Sequence, residues 1–88
     1  MEYEEFEKAV DMCGILTRVS KKDLKKKYLK LSKKYHPDME TGSEEKFLEL
    51  KKNYDLLCAY MDSYYFSFDK DEFKHQFPSF TNYKNWNK

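Results

Sequence analysis

Asp23-Leu24-Lys25-Lys26-Lys27-Tyr28-Leu29-Lys30-Leu31-Ser32-Lys33-Lys34-Tyr35-His36-Pro37-Asp38 is the run on which the fold of this 88-residue chain turns. Leu24, Tyr28, Leu31 and Tyr35 stand at i, i+4, i+7 and i+11, a spacing that puts all four on one face of an α-helix. At about 100° per residue from Leu24, the residues Lys22, Lys26, Leu29 and Lys33 point the other way, with Lys25 and Lys30 on the flanks. The helix therefore has an apolar seam and a strongly basic back. Upstream, Ser20 is placed to cap it and Asp23 to answer from the third helical position, where a capping box more often carries Glu or Gln. Downstream it ends by His36, because Pro37 drives the residue before it out of the helical region.

Beyond the proline, His36 to Gly42 reads as a loop, stiffened by Pro37 and turned at Thr41-Gly42. Ser43-Glu44-Glu45 then opens another helix with a cap and first-turn acids. Its stripe is Phe47, Leu50, Tyr54, Leu57, Cys58 and Met61, which matches the lysine-rich helix in length and polarity. The two are expected to form an antiparallel hairpin with the loop at its tip. Burial of the leucines and aromatics, at about 1.5–3 kcal/mol each, is the expected driving force. Folding entropy of similar total size opposes it and leaves a modest net stability.

Outward from the hairpin, Phe6, Val10 and Cys13 with Ala9 share one face of a first helix over about 2–13, and Gly14 is its natural stop. The other helices are expected over about 20–35 and 43–62. Leu56 and Tyr60 fall on a different face of the last of these and call for a cover, which Phe66, Phe68, Phe73 and Phe77 of the C-terminal segment could supply. A short helix is expected over about 69–77, capped by Asp69 and stopped by Pro78. The division follows: residues 1–62 form the domain, and 63–88 an aromatic extension ending in Phe80, Tyr83 and Trp86.

The formal net charge of +1 conceals an uneven distribution. From Met1 to Leu16 acids outnumber Lys8; from Thr17 to Tyr35 Arg18 and eight lysines face Asp23 alone. Such a basic middle between acidic flanks can steer a partner where the total says nothing. Two cysteines, Cys13 and Cys58, are too few for a disulfide scaffold and suit reduced thiols in a cytoplasmic protein. No apolar run approaches a membrane span, and the acidic N-terminus is unlike a signal peptide. Abundant Tyr and Phe with almost no Gly, Val or Ile point to an all-α fold.

The tripeptide His36-Pro37-Asp38 acquires meaning from its setting. The lysine helix precedes it, and Glu45-Lys46-Phe47-Leu48-Glu49-Leu50-Lys51-Lys52-Asn53-Tyr54-Asp55-Leu56-Leu57 follows a short loop later. From about Val10 to Leu57 this arrangement closely resembles the J-domain, the Hsp70-activating module of the DnaJ co-chaperones. Cys13-Gly14-Ile15 also stands where that family usually has Leu-Gly-Val. The resemblance implies an all-α J-domain: a short first helix packed across an antiparallel hairpin of helices II and III, the HPD loop at the tip, and here a short C-terminal helix. It implies a DnaK-type Hsp70 as partner, with helix II against its nucleotide-binding domain and the loop reaching its interdomain linker, so that ATP hydrolysis is stimulated.

On that basis His36, Pro37 and Asp38 are the expected trigger, Lys22, Lys25, Lys26 and Lys30 steer, and Leu29 adds an apolar contact. The residues suit the task. Pro37 fixes its own φ and restricts His36, His36 offers one hydrogen bond at either nitrogen, and Asp38 can accept a bidentate arginine. The chain departs from the family at Met39 and Glu40, where a basic residue and Asn are common, at the often-basic position held by Leu29, and at Lys27 and Asn53, where small residues are common. Met39, Glu40 and Leu29 motivate an alternative, a J-like interaction module that no longer activates Hsp70.

Other readings are weaker. Nucleic-acid binding through the lysines is opposed by the acidic flanks and the near-neutral pI of 7.7. Catalysis lacks a nucleophile near His36 and Asp38, and a tip loop excludes no water. A metal on His36, Asp38 and His75 would need the C-terminal helix to reach the tip. No enzyme activity, cofactor or metal is expected. Phe80, Tyr83 and Trp86 are more readily packing residues than contacts for a client or a parent protein.

Overall fold

A computed structural model describes residues 1–40 and 42–78. Four helices follow in chain order: α1 (Tyr3–Met12), α2 (Lys21–Tyr35), α3 (Glu44–Asp62) and α4 (Lys70–Gln76), and no strand occurs among the described residues. The ends of α1 and α2 are set by local chemistry. Ser20 Oγ accepts from the backbone N–H of Asp23 at 3.1 Å and Asp23 Oδ2 accepts from that of Ser20 at 3.5 Å, so Asp23 completes the box despite its shorter side chain. Gly14 ends α1 at φ +67°, a left-handed conformation that disfavours any side chain. Its N–H donates to the Asp11 carbonyl and the next N–H, of Ile15, to that of Val10, both at 3.1 Å. The last carbonyls of α1 are thereby satisfied by a Schellman turn.

α3 is the central element. α1 and α2 each pack on it, and α4 packs on no other helix among the described residues. Ala9 and Cys13, Leu24, and Leu50 with Leu57 form the fully buried core, one contribution from each side. Phe6, Val10, Tyr28, Leu31, Tyr35, Tyr54, Cys58 and Met61 pack around it half-buried. Burial raises the Cys13 thiol pKa, with Cys58 as a lesser contributor, and both thiols are free.

The hairpin is antiparallel, pinned at three levels. At its open end Lys21 Nζ meets Asp62 Oδ1 at 2.6 Å, and this partnership raises the lysine pKa. Midway the rings of Tyr28 and Tyr54 stack at 4.1 Å and 12°. At the closed end the Ser43 N–H donates to the Tyr35 carbonyl at 3.1 Å. The stack is the level most sensitive to substitution. Tyr28→Ala is expected to cost about 2–3 kcal/mol from lost area and ring pairing. It should lower the midpoint of thermal unfolding by about 10 °C or more in far-UV circular dichroism; an unchanged midpoint would show that the seam does not hold α2 to α3.

Two features depart from the expectations. Leu56 packs half-buried against the core and Tyr60 is met by α1, whose Phe6 ring lies 4.7 Å from the Tyr60 ring, rather than by Phe68 or Phe77. The reason is that α1 brings a continuous apolar face, whereas Phe68 and Phe77 are exposed and α4 spans only seven residues. Tyr64, just beyond the end of α3, brings its ring to within 6.1 Å of the Tyr60 ring. The second feature is Asn53, only 9% exposed on the core side of α3. Its Nδ2 donates to Met12 Sδ at 3.0 Å, and Lys27 Nζ reaches the Gly14 carbonyl at 3.5 Å. Both larger-than-usual side chains therefore reach the C-terminal end of α1. Phe80, Tyr83 and Trp86 lie outside the described residues.

Candidate functional site

The tip of the hairpin is a turn built before any partner arrives. His36 leaves α2 at φ −58° and ψ 136°, the extended conformation a following proline demands. Its carbonyl accepts from the Met39 N–H at 2.9 Å, closing a β-turn with Pro37 in the second position. The Met39 carbonyl accepts in turn from the Gly42 N–H at 2.9 Å, and the bond between Ser43 and Tyr35 shuts the neck.

The His36 ring is held from two sides. Nδ1 accepts from the backbone N–H of Asp38 at 3.2 Å and lies 3.6 Å from Asp38 Oδ2. Phe47, one turn into α3, meets the ring edge-on at 5.5 Å. Nε2 is left as the nitrogen available to a partner. The Asp38 side chain is 90% exposed, with its carboxylate free to take a forked donor from outside. Beside the turn lies an open depression of about 550 Å³ lined by Ser32, Lys33, Lys34, His36, Asp38, Met39 and Phe47.

Gly42 is required here by space. A Cβ at this position would overlap the His36 carbonyl and stand 3.0 Å from that of Met39, and neither backbone oxygen can swing aside. Gly42→Ala is expected to cost about 1–3 kcal/mol by overpacking. It should shift the amide resonances of His36, Asp38 and Met39 while leaving those of α1 in place; unshifted tip resonances would mean the loop has room to spare.

The basic face runs back from the tip along α2. Lys22, Lys25, Lys26 and Lys30 are exposed and have no carboxylate partner among the described residues, so their charge is available to a partner. Leu29 is 47% exposed in their midst, too wet to serve the core. The tip turn and this face occur on one continuous element, joined by Lys33 and Lys34 at the rim of the depression. Sequence reasoning placed Lys33 on the back of α2 but did not connect it or Lys34 with the tip. It assigned Phe47 only to the core, because periodicity along α3 cannot report a contact made back across the loop. Among the described residues no three His, Cys, Asp or Glu side chains cluster as metal ligands, and no helix is long and apolar enough to cross a membrane.

The sequence that builds this site is similar to known proteins. The family model of the DnaJ domain matches residues 11–61. The chain is similar to the chaperone protein DnaJ of Bacillus velezensis and to that of Staphylococcus carnosus, 49% identical over 49 residues in each case. It is 45% identical over 49 residues to the chaperone protein DnaJ of Crocosphaera subtropica. Each match takes in 53% of this chain and 13% of the relative, so the chain spans a small part of the length of the curated proteins it resembles. No solved structure gives a significant match.

Proposed function

The chain belongs to the DnaJ domain family, and from that premise we propose that it binds a DnaK-type Hsp70 in the cytoplasm and stimulates its ATP hydrolysis. Residues 1–62 are the J-domain in this reading, and 63–88 an extension. The observation that carries it is the preformed His36-Pro37-Asp38 turn at the end of an unpaired basic face. Lys22, Lys25, Lys26 and Lys30 draw α2 onto an acidic surface, and Leu29 is buried there. Long-range attraction sets the encounter rate, and the tip then supplies His36 Nε2 and the Asp38 carboxylate within a geometry that needs little further ordering. No chemistry is performed by the domain. It acts by binding one conformational state of the ATPase better than another, which shifts the population toward hydrolysis.

The test is single-turnover ATP hydrolysis by the host's Hsp70 with and without the full chain. Acceleration is expected, and its absence would leave the alternative, a J-like module that engages a partner without activating it. That alternative draws on Met39, 54% exposed, and on the exposed acid Glu40, both just after the turn. Salt gives a second readout. Raising ionic strength from about 0.1 M to about 1 M shortens the Debye length from about 10 Å to about 3 Å. Affinity for the Hsp70 is expected to fall at least about tenfold over that range; a flat response would mean that an apolar interface around Leu29 and Met39 dominates.

A further inference from the structure

Five aromatic rings run unbroken over α1, the end of α3 and the start of the extension. Tyr3 lies 6.3 Å from Phe6, Phe6 4.7 Å from Tyr60, Tyr60 6.1 Å from Tyr64, and Tyr64 5.4 Å from Phe66. Phe6 is half-buried, but the other four are exposed, Tyr3 by 73% and Phe66 by 67%. Single exposed aromatics need no explanation, whereas a contiguous strip of them marks a surface used for recognition. No helix among the described residues covers it, since α4 packs on none of the others.

The charge beside the strip says what fits it. Glu7 stands four residues from Tyr3 and shares its edge of α1. Glu4, Glu5 and Asp11 are also exposed on that helix, and none of these acids has an ion-pair partner among the described residues. Lys8 is the one cation of α1. Ring faces attract guanidinium and ammonium groups, nearby carboxylates add Coulomb attraction, and aliphatic side chains pack between the rings. The lysine face of α2 offers the opposite chemistry and belongs to a separate element.

We propose that the strip from Tyr3 to Phe66 is a docking site for a basic, apolar peptide segment of another protein, one in which Arg or Lys alternates with aliphatic residues. Acidic segments are turned away by the α1 carboxylates. The site is independent of the tip, and the two surfaces can be occupied together.

The test uses the full chain and three short fluorescein-labelled peptides read by anisotropy: alternating Arg and Leu, alternating Glu and Leu, and alternating Arg and Ser. The Arg/Leu peptide is expected to bind saturably, and each of the others about tenfold more weakly or less. The double variant Tyr3→Ala/Tyr64→Ala and the single variant Glu7→Lys should each weaken Arg/Leu binding about fivefold or more, with unchanged circular dichroism. Lys26→Ala should leave it alone. Absence of saturable binding, equal affinity for the Glu/Leu peptide, or indifference to both Tyr3→Ala/Tyr64→Ala and Glu7→Lys would overturn the proposal. So would a dimer in sedimentation that Tyr64→Ala dissolves, because the strip would then be covered by a second copy. Stimulation of Hsp70 is expected to survive Tyr3→Ala/Tyr64→Ala and Glu7→Lys, which lie away from α2 and the tip, so the two readings fail separately.

Discussion

Asp38→Asn is expected to abolish stimulation of Hsp70 while leaving the fold intact. The side chain is 90% exposed, and the bond that shapes the turn comes from the Asp38 backbone N–H to His36 Nδ1, which Asn retains. What is lost is a charged acceptor able to take both arms of an arginine fork. A hydrogen bond to a charged group is worth about 1.5–3 kcal/mol, so stimulation should drop by about tenfold to a hundredfold or more. The single-turnover assay measures it, with far-UV circular dichroism and the melting midpoint as controls. His36→Gln is expected to do the same by another route, removing the ring that Phe47 holds edge-on at 5.5 Å. Normal stimulation by both variants would end the case for the tip as trigger.

Leu50→Ala should have the largest effect on stability. Leu50 is fully buried on α3, the helix on which both α1 and α2 pack. Truncation removes its transfer free energy and leaves a cavity, about 2–5 kcal/mol in a core that closes poorly around the gap. Domains of this size have only about 5–15 kcal/mol in all, and small ones lie toward the lower end. The midpoint of thermal unfolding should fall by at least about 10 °C, and a parent stability at that lower end would leave the variant largely unfolded at 37 °C. A midpoint within about 2 °C of the parent would show that α3 is not the centre of the fold.

The stripes of α2 and α3 were legible because a helix repeats every 3.6 residues, and an apolar residue at each repeat has one place to go. Leu24, Leu50 and Leu57 are buried accordingly. Helix ends were legible where capping is local: Ser20 with Asp23, Ser43 with Lys46, Asp69 with Glu72, and Gly14 at positive φ all act within a few residues. The tip turn was legible for the same reason, since Pro37 constrains its neighbours whatever else the chain does.

Beyond the pairing of α2 with α3, the contacts that span the chain were not legible. The cover over Tyr60 comes from Phe6, the support for the His36 ring from Phe47, the partner of Asn53 from Met12, and the partner of Lys21 from Asp62. Periodicity places a side chain on a face of its own helix but carries no information on which other element meets that face. The amino-acid sequence by itself determined the helices, their apolar seams, the HPD turn and the basic back of α2, because each depends on residues within one or two helical turns. Only the tertiary structure decided that α3 is the shared support and that α1 rather than α4 covers its second face. It also decided that the exposed rings of Tyr3, Tyr60, Tyr64 and Phe66 line up through Phe6 as one strip, because packing selects among faces by shape and area across long separations in the chain.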